Sequence, residues 1–293
     1  MGALDDRVTV ITGAGRGIGR EHALLFAREG AKVVVNDLGG SPDGSGSDAG
    51  PAQQLVDEIK ADGGEATANT DDVSSWDGAE SLIKAAVDTY GRLDVLVNNA
   101  GILRDRFIAQ MSEEEWDSVI KVHLKGHFCP LRHAAAYWRD QSKAGEQVSG
   151  AVINTASGSG TFLPNAGQIN YGAAKAGIAA MTLVAAAELE RYGVRVNGIA
   201  PIARTRLTED VPGVGAMMAK PEEPDAFDAF DPANVSPLVA WLASADCPVT
   251  GRVFAVQGGQ IARLENWSMG EDITADGPWT IEAIAGQLGG AKV

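Results

Sequence analysis

A tyrosine and a lysine four residues apart, Tyr171 and Lys175, close the stretch INTASGSGTFLPNAGQINYGAAK (153–175). On a helix, residues i and i+4 are neighbours on one face. A lysine ammonium beside a phenol stabilises the phenolate and lowers the tyrosine pKa from about 10 towards neutrality. The spacing therefore predicts a general acid and base that exchanges a proton with a substrate.

The helix around this pair separates it from an ordinary surface pair. The residues that follow Lys175 read AGIAAMTLVAAA (176–187), and they carry no charge on any side. A helix that is apolar all round is buried, in a core or against a partner subunit. We therefore expect Tyr171 and Lys175 to stand at the mouth of a buried helix and to be functional.

A glycine-rich turn, ITGAGRGIGR (11–20), follows the first apolar run and precedes a helical pattern. Glycines let a backbone approach a pyrophosphate closely, and a helix N-terminus supplies free N–H groups. A plain tight turn is the alternative, but the position after the first strand favours a nucleotide. The residues expected to contact it are Gly13, Arg16, Gly17, Ile18 and Gly19.

Asp37 ends the second apolar run, about 20 residues beyond the glycine turn. A carboxylate there can accept hydrogen bonds from the adenosine ribose and repels a 2′-phosphate, so the cofactor is predicted to be NAD. Arg16 argues mildly for NADP, and a solvated loop acid is the alternative for Asp37.

Two further segments are predicted to line the same crevice. Asp72 and Val73 follow the third strand region and could flank the adenine, or they could simply precede a helix that Ser74 and Ser75 cap. Small and amide residues end the fourth strand, where parallel sheets hold ligands, although they also favour a turn. These residues are Asn99, Ala100 and Gly101.

The elements that position these residues alternate along the chain. Short β-branched runs are separated by helical patterns, which predicts one doubly wound α/β domain of the Rossmann type, with a parallel sheet of about seven strands and helices on both faces. We assign residues 1–265 to this domain, with a lid at about 203–235 and a C-terminal extension of unassigned role at 266–293. The runs are VTVIT (8–12), KVVVN (32–36), DVLVN (94–98), AVINT (151–155), VRVNGI (194–199) and RVFAV (252–256).

Composition narrows the function classes. A net charge of −15 over 293 residues argues against nucleic-acid binding. Cys129 and Cys247 make no disulfide framework, and the four histidines lack metal-ligand spacing, so no metal is indicated. The start lacks a signal-peptide pattern and no apolar run predicts a membrane span, so a cytoplasmic location is expected.

The ordered set TGxxxGxG, NNAG, serine, YxxxK and IAP (199–201) resembles the short-chain dehydrogenase/reductase family from residue 7 to about 262. VVVNDLGG, NNAGILRDR, KVHLKG and GQINYGAAK are similar, more narrowly, to the (3R)-hydroxyacyl-CoA dehydrogenase unit of peroxisomal multifunctional β-oxidation enzymes. The resemblance implies hydride transfer between nicotinamide and a secondary alcohol or ketone. Tyr171 would exchange the proton and contact the cofactor, and Lys175 would lower the tyrosine pKa and hold the nicotinamide ribose.

The resemblance also implies a catalytic serine, whose identity the spacing leaves open. The family usually places it 13 residues before the tyrosine, whereas Ser157 lies 14 and Ser159 lies 12 residues before Tyr171. Ser157 keeps the expected distance from the preceding strand, so we prefer Ser157, with Ser159 as the alternative.

Three further groups of residues follow once the resemblance is stated. His123 stands where much of the family has an asparagine, and the main-chain carbonyl of that asparagine supports a water relay to the lysine. We interpret the imidazole ring of His123 as packed in the core. Pro201, Ile202 and Thr205 would hold the carboxamide, although Ile202 replaces the usual glycine. Candidates for CoA phosphates, or else for surface ion pairs with Asp105 or Glu209, are Arg104, Arg106, Arg204 and Arg206.

Three functions remain open at this point. The first is an NAD-dependent 3-hydroxyacyl-CoA dehydrogenase, and the second is a hydroxysteroid dehydrogenase or a 3-oxoacyl-carrier-protein reductase on the same scaffold. The third is a nucleotide-sensing module without catalysis, which has no need of Ser157, Tyr171 and Lys175. The helices predicted at 172–191 and from 113 to about 140 are expected to pair in a homodimer or homotetramer.

Overall fold

The computed structural model describes residues 2–206, 218–223 and 226–289. The chain divides into two units, Met1–Arg263 and Leu264–Val293. The segment predicted as a lid, 203–235, lies partly outside the described residues. In the second unit, a short helix begins after Thr280, whose side chain accepts a hydrogen bond from the N–H of Ala283.

The first unit is built on one eight-stranded sheet with the order β3-β2-β1-β4-β5-β6-β7-β8. Seven strands are parallel, which confirms the doubly wound prediction, and β8 pairs antiparallel with β7. The strands are β1 (Val8–Thr12), β2 (Lys32–Asn36), β3 (Glu65–Asn69), β4 (Val95–Asn98), β5 (Gly150–Thr155), β6 (Val194–Pro201), β7 (Val253–Gln257) and β8 (Gln260–Arg263).

Helices cover both faces of this sheet. A five-residue π-helical segment, Lys121–Lys125, joins α4 to α5 without a break. The helices of the first unit are α1 (Gly17–Arg28), α2 (Gly50–Ala61), α3 (Trp76–Tyr90), α4 (Glu113–Ile120), α5 (Gly126–Lys143), α6 (Ile169–Leu189) and α7 (Ser236–Ala243), and the second unit contains α8 (Ile281–Leu288).

The hydrophobic core has two layers, one on each face of the sheet, and alternate side chains of a strand enter different layers. In β2, Val33 and Val35 pack in one apolar layer with α1, α2 and α7, whereas Val34 packs in the other with α3, α5 and α6. Successive side chains of a strand point to opposite faces, so a sheet buried on both sides needs continuous apolar runs. This is why VTVIT and KVVVN form strands that are buried on both faces.

One helix of the described chain, Ile169–Tyr192, is long and apolar enough to cross a membrane by length and composition. It packs against β6 and β5 through one face, with Ile178 and Thr182 fully buried. Its opposite face is open in the monomer, where Val184 is 58% exposed. This packing is that of a core helix of the domain. Only one face of the helix is buried, not all of its faces.

The strand order reverses between β1 and β4: β2 and β3 lie on the far side of β1, and β5 to β8 lie on the far side of β4. β1 and β4 pair with each other in parallel. Ligands of open α/β sheets bind at such a switch point, outside the carboxyl ends of the strands. The glycine turn follows β1, and the segment NNAG follows β4 at the same edge.

Candidate active site

The turn between β1 and α1 leaves no room for side chains. Gly13 and Gly17 have positive φ values of 61° and 56°. A Cβ atom at Gly13 would lie 2.7 Å from Cα of Ala100, and one at Gly19 would lie 2.4 Å from the carbonyl oxygen of Gly13. Glycine is required at both positions, and a backbone without side chains there lets a ligand approach closely.

Asn99 fixes the shape of this turn. Its side-chain amide donates hydrogen bonds to the carbonyl oxygens of Thr12 (3.0 Å) and Gly13 (3.1 Å). The Thr12 hydroxyl in turn accepts from the main-chain N–H groups of Asn99 (2.9 Å) and Ala100 (3.1 Å). The segment NNAG therefore braces the glycine turn as well as lining the crevice, a role that its sequence did not reveal.

The Asp37 carboxylate lies directly beside the same turn. It accepts hydrogen bonds from the N–H groups of Gly15 and Gly39, both at 2.7 Å. Arg206 donates to the carbonyl oxygen of Gly40 at 3.3 and 3.4 Å. Burial lowers the pKa of Arg206; the nearby Arg16 lowers it further, and Asp37 opposes the change. The Arg206 guanidinium thus lies near the acid at the end of β2, and Arg16 lines the same crevice.

Asp72 lies beside the start of α3 and also lines the crevice, and its place beside the adenine stays a prediction. Its carboxylate accepts from the N–H (2.9 Å) and hydroxyl (2.6 Å) of Ser74, close to the helix start that Ser75 caps. The same residue lines the crevice beside Val73.

A single cavity of about 680 Å³ joins these groups to the tyrosine and lysine. Of the predicted site residues, Gly19 alone is not part of its wall, because it packs behind the turn. The wall includes Gly13, Arg16, Gly17, Ile18, Asp37, Asp72, Val73, Asn99, Ala100, Gly101, Ser157, Tyr171, Lys175, Pro201, Ile202 and Thr205. A glycine cradle followed by a carboxylate fits a dinucleotide with its adenosine at Asp37 and its nicotinamide near Tyr171.

Ser157 and Ser159 point to different partners. Ser157 caps a short turn in extended conformation, and its side chain is hydrogen-bonded to Tyr171. The hydroxyl of Ser159 donates to the side-chain oxygen of Gln168 at 2.9 Å. The geometry therefore brings Ser157, and not Ser159, to the phenol.

Lys175 is buried beneath the tyrosine. Its ammonium lies 5.5 Å from the centre of the Tyr171 ring and donates to the carbonyl oxygen of Thr155 at 2.6 Å. Burial lowers the pKa of Lys175 to about 7. Burial raises the pKa of Tyr171; the hydrogen bond from Ser157 opposes this and Asp105 adds to it.

The tyrosine pKa thus departs from the expectation that lysine lowers it. Burial disfavours the charged form of the phenol, and it is the largest influence on the pKa of Tyr171. A change that keeps Lys175 protonated therefore strengthens its attraction for the Tyr171 phenolate.

His123 lies in the π-helical segment and is almost fully buried. Its Nε2 atom lies 3.0 Å from the nitrogen and 2.7 Å from the oxygen of Ile102, and its ring meets Tyr171 edge-on at 5.1 Å. Burial and the nearby Lys175 lower the pKa of His123 to about 3, so the ring is neutral. A Cβ atom at Gly101 would lie 2.4 Å from this ring, which explains the glycine there.

Two amide side chains missed by sequence reasoning position the start of α6. Asn170 is fully buried; its amide donates to the carbonyl oxygens of Arg104 (2.9 Å) and Glu115 (3.1 Å), and its oxygen accepts from the N–H of Tyr171 (2.7 Å). Gln168 donates to Asp105 at 2.7 Å. Their position beside the tyrosine was the only available signal.

The arginines proposed for CoA phosphates have other partners. Arg104 pairs with Glu114 at 3.2 Å, and Arg106 pairs with Glu115 at 3.1 Å. Arg204 forms an ion pair with Asp228. The structure therefore agrees better with the alternative that these arginines form ion pairs. Their acidic partners differ from the predicted Asp105 and Glu209, and Glu209 lies outside the described residues.

Four exposed apolar side chains on two loops, called here the apolar rim, include Leu163 in the wall of the cavity. Phe107, Ile108, Phe162 and Leu163 are 48–71% exposed, and the two loops that carry them meet where the N–H of Arg106 donates to the carbonyl of Gly167 at 2.8 Å. Exposed apolar side chains grouped at a cleft are typical of ligand-binding sites. Within the part of the chain that the structure describes, no three His, Cys, Asp or Glu side chains could hold a metal.

Comparison with known proteins gives one consistent result. The family model for short chain dehydrogenases matches residues 7–212. The hydroxyacyl-CoA dehydrogenase ChsB1 of Mycobacterium tuberculosis is 47% identical over 94% of this chain and 84% of its own length. Peroxisomal multifunctional enzyme type 2 of Mus musculus is 44% identical over 89% of this chain, which spans 33% of that enzyme.

A solved structure agrees with these matches. The crystal structure of a short chain dehydrogenase from Mycobacterium avium superposes with a TM-score of 0.87 at 53% identity, covering 98% of this chain and 95% of its own. The chain therefore belongs to the short-chain dehydrogenase family, and it is an oxidoreductase that uses a nicotinamide dinucleotide.

Proposed function

We propose that this protein is an NAD-dependent 3-hydroxyacyl-CoA dehydrogenase that interconverts 3-hydroxyacyl-CoA and 3-oxoacyl-CoA. The observation that carries the proposal is the Ser157–Tyr171–Lys175 group in the wall of the cavity that also holds the glycine cradle. The CoA thioester is favoured because two relatives named for hydroxyacyl-CoA or multifunctional peroxisomal chemistry match most of the chain.

Each side chain has a distinct part in the chemistry. The hydrogen bond between Ser157 and Tyr171 marks the place where a substrate oxygen can be held by both hydroxyls. During oxidation Tyr171 accepts the hydroxyl proton, and the Lys175 ammonium stabilises the phenolate. The bound nicotinamide supplies the hydride acceptor, or the donor in the reverse direction.

NAD is favoured over NADP by Asp37. A 2′-phosphate would meet its carboxylate, which is held towards the cradle by Gly15 and Gly39. Arg16 and Arg206 lie close enough to temper the preference. Replacing the carboxylate in Asp37→Asn is expected to reduce the ratio of kcat/KM for NAD over NADP by about tenfold, since one close charge interaction is worth about 1 kcal/mol or more at a partly exposed site. An unchanged ratio would contradict this role.

A hydroxysteroid dehydrogenase is the second candidate, and the apolar rim favours it. Phe107, Ile108, Phe162 and Leu163 could cover a ring system as well as an acyl chain. A 3-oxoacyl-carrier-protein reductase is less well supported, because such reductases usually prefer NADP and Asp37 disfavours it.

A spectrophotometric panel separates these candidates. NAD and NADP are crossed with (3R)- and (3S)-hydroxyacyl-CoAs of several lengths, 3-hydroxyacyl-carrier protein and hydroxysteroids. The proposal predicts the highest kcat/KM for NAD with a hydroxyacyl-CoA. A higher value for a steroid would overturn the substrate class, and no turnover of any alcohol would overturn the enzymatic proposal in favour of a nucleotide sensor.

A homo-oligomer and a cytosolic location remain our proposals. Exposed apolar side chains on three helices, Trp116 on α4, Phe128 on α5 and Val184 on α6, supply surface for a second copy. Light scattering at micromolar concentration tests the first, and a monomer would contradict it.

A further inference from the structure

Gln168 lies at the start of α6, three residues before Tyr171, and it is part of the wall of the cavity. It is the N-cap residue of α6, but its side chain makes no capping hydrogen bond to the helix. The side-chain amide is therefore free to serve another purpose beside the catalytic phenol. Its hydrogen bonds to three other side chains show what that purpose is.

Three neighbours fix the orientation of this amide. Its nitrogen donates to the carboxylate of Asp105 at 2.7 Å. Its oxygen accepts from the hydroxyl of Ser159 at 2.9 Å and from the side-chain amide of Asn165 at 3.3 Å. A carboxylate only accepts hydrogen bonds, so the nitrogen and not the oxygen of the amide has to face Asp105. The oxygen is thereby committed to Ser159 and Asn165.

One N–H group of the amide is left over. The nitrogen of a glutamine side chain carries two N–H groups, and within the described chain that of Gln168 makes a single hydrogen bond, to Asp105. Gln168, Ser159 and Asn165 line the cavity, whereas Asp105 is not part of its wall. The first N–H group is therefore held by a carboxylate behind the wall, and the second is available to a ligand inside the cavity.

The amide is also linked to the catalytic hydroxyls. The Ser157 hydroxyl accepts a hydrogen bond from the main-chain N–H of Ser159 at 3.2 Å, and the Ser159 hydroxyl donates to Gln168. A substrate oxygen held by Ser157 and Tyr171 therefore lies close to the Gln168 amide in the same wall. A 3-hydroxyacyl thioester has a second oxygen, the thioester carbonyl, two carbon atoms from the reacting carbon. A carbonyl oxygen can only accept, so it needs a donor such as this N–H group.

We propose that Gln168 binds the thioester carbonyl oxygen of the substrate through its second amide N–H group, while Ser157 and Tyr171 hold the reacting oxygen. Asp105 and Ser159 are positioning residues that keep this N–H group directed into the cavity. The proposal rests on the 3-hydroxyacyl-CoA substrate of the proposed function. It makes the site selective for compounds with a carbonyl two carbon atoms from the reacting centre, because a compound without one leaves the N–H group unpaired.

A pair of CoA compounds isolates this contact. Acetoacetyl-CoA and the thioether S-(3-oxobutyl)-CoA share the ketone, the chain length and the CoA group, and only the first has the thioester oxygen. The kcat/KM for reduction of each compound by NADH is measured with the full chain. Gln168→Met keeps the length of the side chain but removes both N–H groups. It should lower the ratio of kcat/KM for the thioester over the thioether about tenfold, mainly by raising KM for the thioester. The intrinsic reactivities of the two ketones cancel when variants are compared.

Two further variants complete the test. Asp105→Ala leaves Gln168 in place but removes the acceptor that orients its amide, so the ratio should fall about threefold. Gln53→Met is the matched control, because the Gln53 amide donates to the carboxylate of Asp57 at 2.8 Å on the exposed surface of α2. It removes the same kind of glutamine–aspartate hydrogen bond, and the ratio should equal that of the wild type.

An unchanged ratio in Gln168→Met, or equal losses with the two compounds, would overturn the inference and leave Gln168 as a residue that only shapes the start of α6. An unchanged ratio in Asp105→Ala would overturn the positioning role of that carboxylate. A wild type that reduces neither compound would contradict the proposed function, and this inference with it. That result needs no variant, so the two failures are distinguishable.

Discussion

The two ends of the cavity are built in different ways. At the cofactor end, main-chain groups form the site, and Asn99 and Asp37 hold the glycine turn in place through hydrogen bonds to its backbone. At the substrate end, side chains form the site, and burial sets their charge: it lowers the pKa of Lys175 and raises that of Tyr171. Backbone conformation governs the first end and electrostatics the second, so changes at one end should leave the other intact.

Tyr171→Phe should give the largest effect and the clearest separation. Removing the hydroxyl removes the general acid and base, which typically contributes 10²- to 10⁴-fold, so we expect kcat to fall about 10³-fold. The Kd for NAD should stay within about threefold, because main-chain groups hold the dinucleotide. Tyr192→Phe, in the turn that follows α6, is the control and should be neutral. Loss of NAD binding in Tyr171→Phe would show that the two ends are not independent.

Ser157→Ala sharpens the same comparison within the substrate end. We expect kcat/KM to fall about 100-fold, the usual cost of one donor to a developing charge, whereas Ser159→Ala should lose less than about threefold. The hydrogen bond from Ser157 lowers the Tyr171 pKa, so its loss should also move the pH profile for alcohol oxidation to higher pH. The reverse ranking of the two variants would assign the role to Ser159.

Gly13→Ala probes the cofactor end. Its φ of 61° and the 2.7 Å approach of a Cβ atom to Ala100 should distort the turn, and a residue forced into this conformation costs about 1–2 kcal/mol. We expect Kd for NAD to rise about tenfold or more by fluorescence titration. Gly63→Ala is matched, with a φ of 86° and open space around the Cβ position. It should lower stability by a similar amount and leave Kd within about twofold; equal Kd changes would contradict the assignment.

The same contrast explains how far the sequence could go. Glycine positions, β-branched strands and the YxxxK spacing are local patterns, and they predicted the doubly wound parallel sheet and the crevice at its carboxyl edge. The β8 strand was missed because QIAR carries no strand pattern and is exposed on the sheet edge. Asn99, Gln168 and Asn170 act through partners about 9 to 87 residues away, and no spacing reveals such contacts.

The choice between Ser157 and Ser159 shows the limit most clearly. Both serines lie at plausible distances along the chain, and the short turn over Gly158–Gly160 decides which one reaches the phenol. The tyrosine pKa was predicted in the wrong direction because adjacency on a helix says nothing about burial.

Lys175→Met tests the electrostatic character of the substrate end through stability rather than through activity or cofactor binding. The folded pKa of Lys175 is about 7 and that of an unfolded lysine is about 10.4, so the unfolded chain binds more protons between these values. The contribution of Lys175 to the stability of the wild type therefore rises with pH across that window. Methionine does not titrate, so the variant should be more stable than the wild type at pH 7. This difference in the free energy of unfolding, measured by urea unfolding without NAD, should shrink by about 2 kcal/mol from pH 7 to pH 9. Lys143→Met, an exposed lysine at the end of α5, should run parallel to the wild type. A parallel curve for Lys175→Met as well would mean that this ammonium is not buried in solution, and the contrast between the two ends of the cavity would then lose its physical basis.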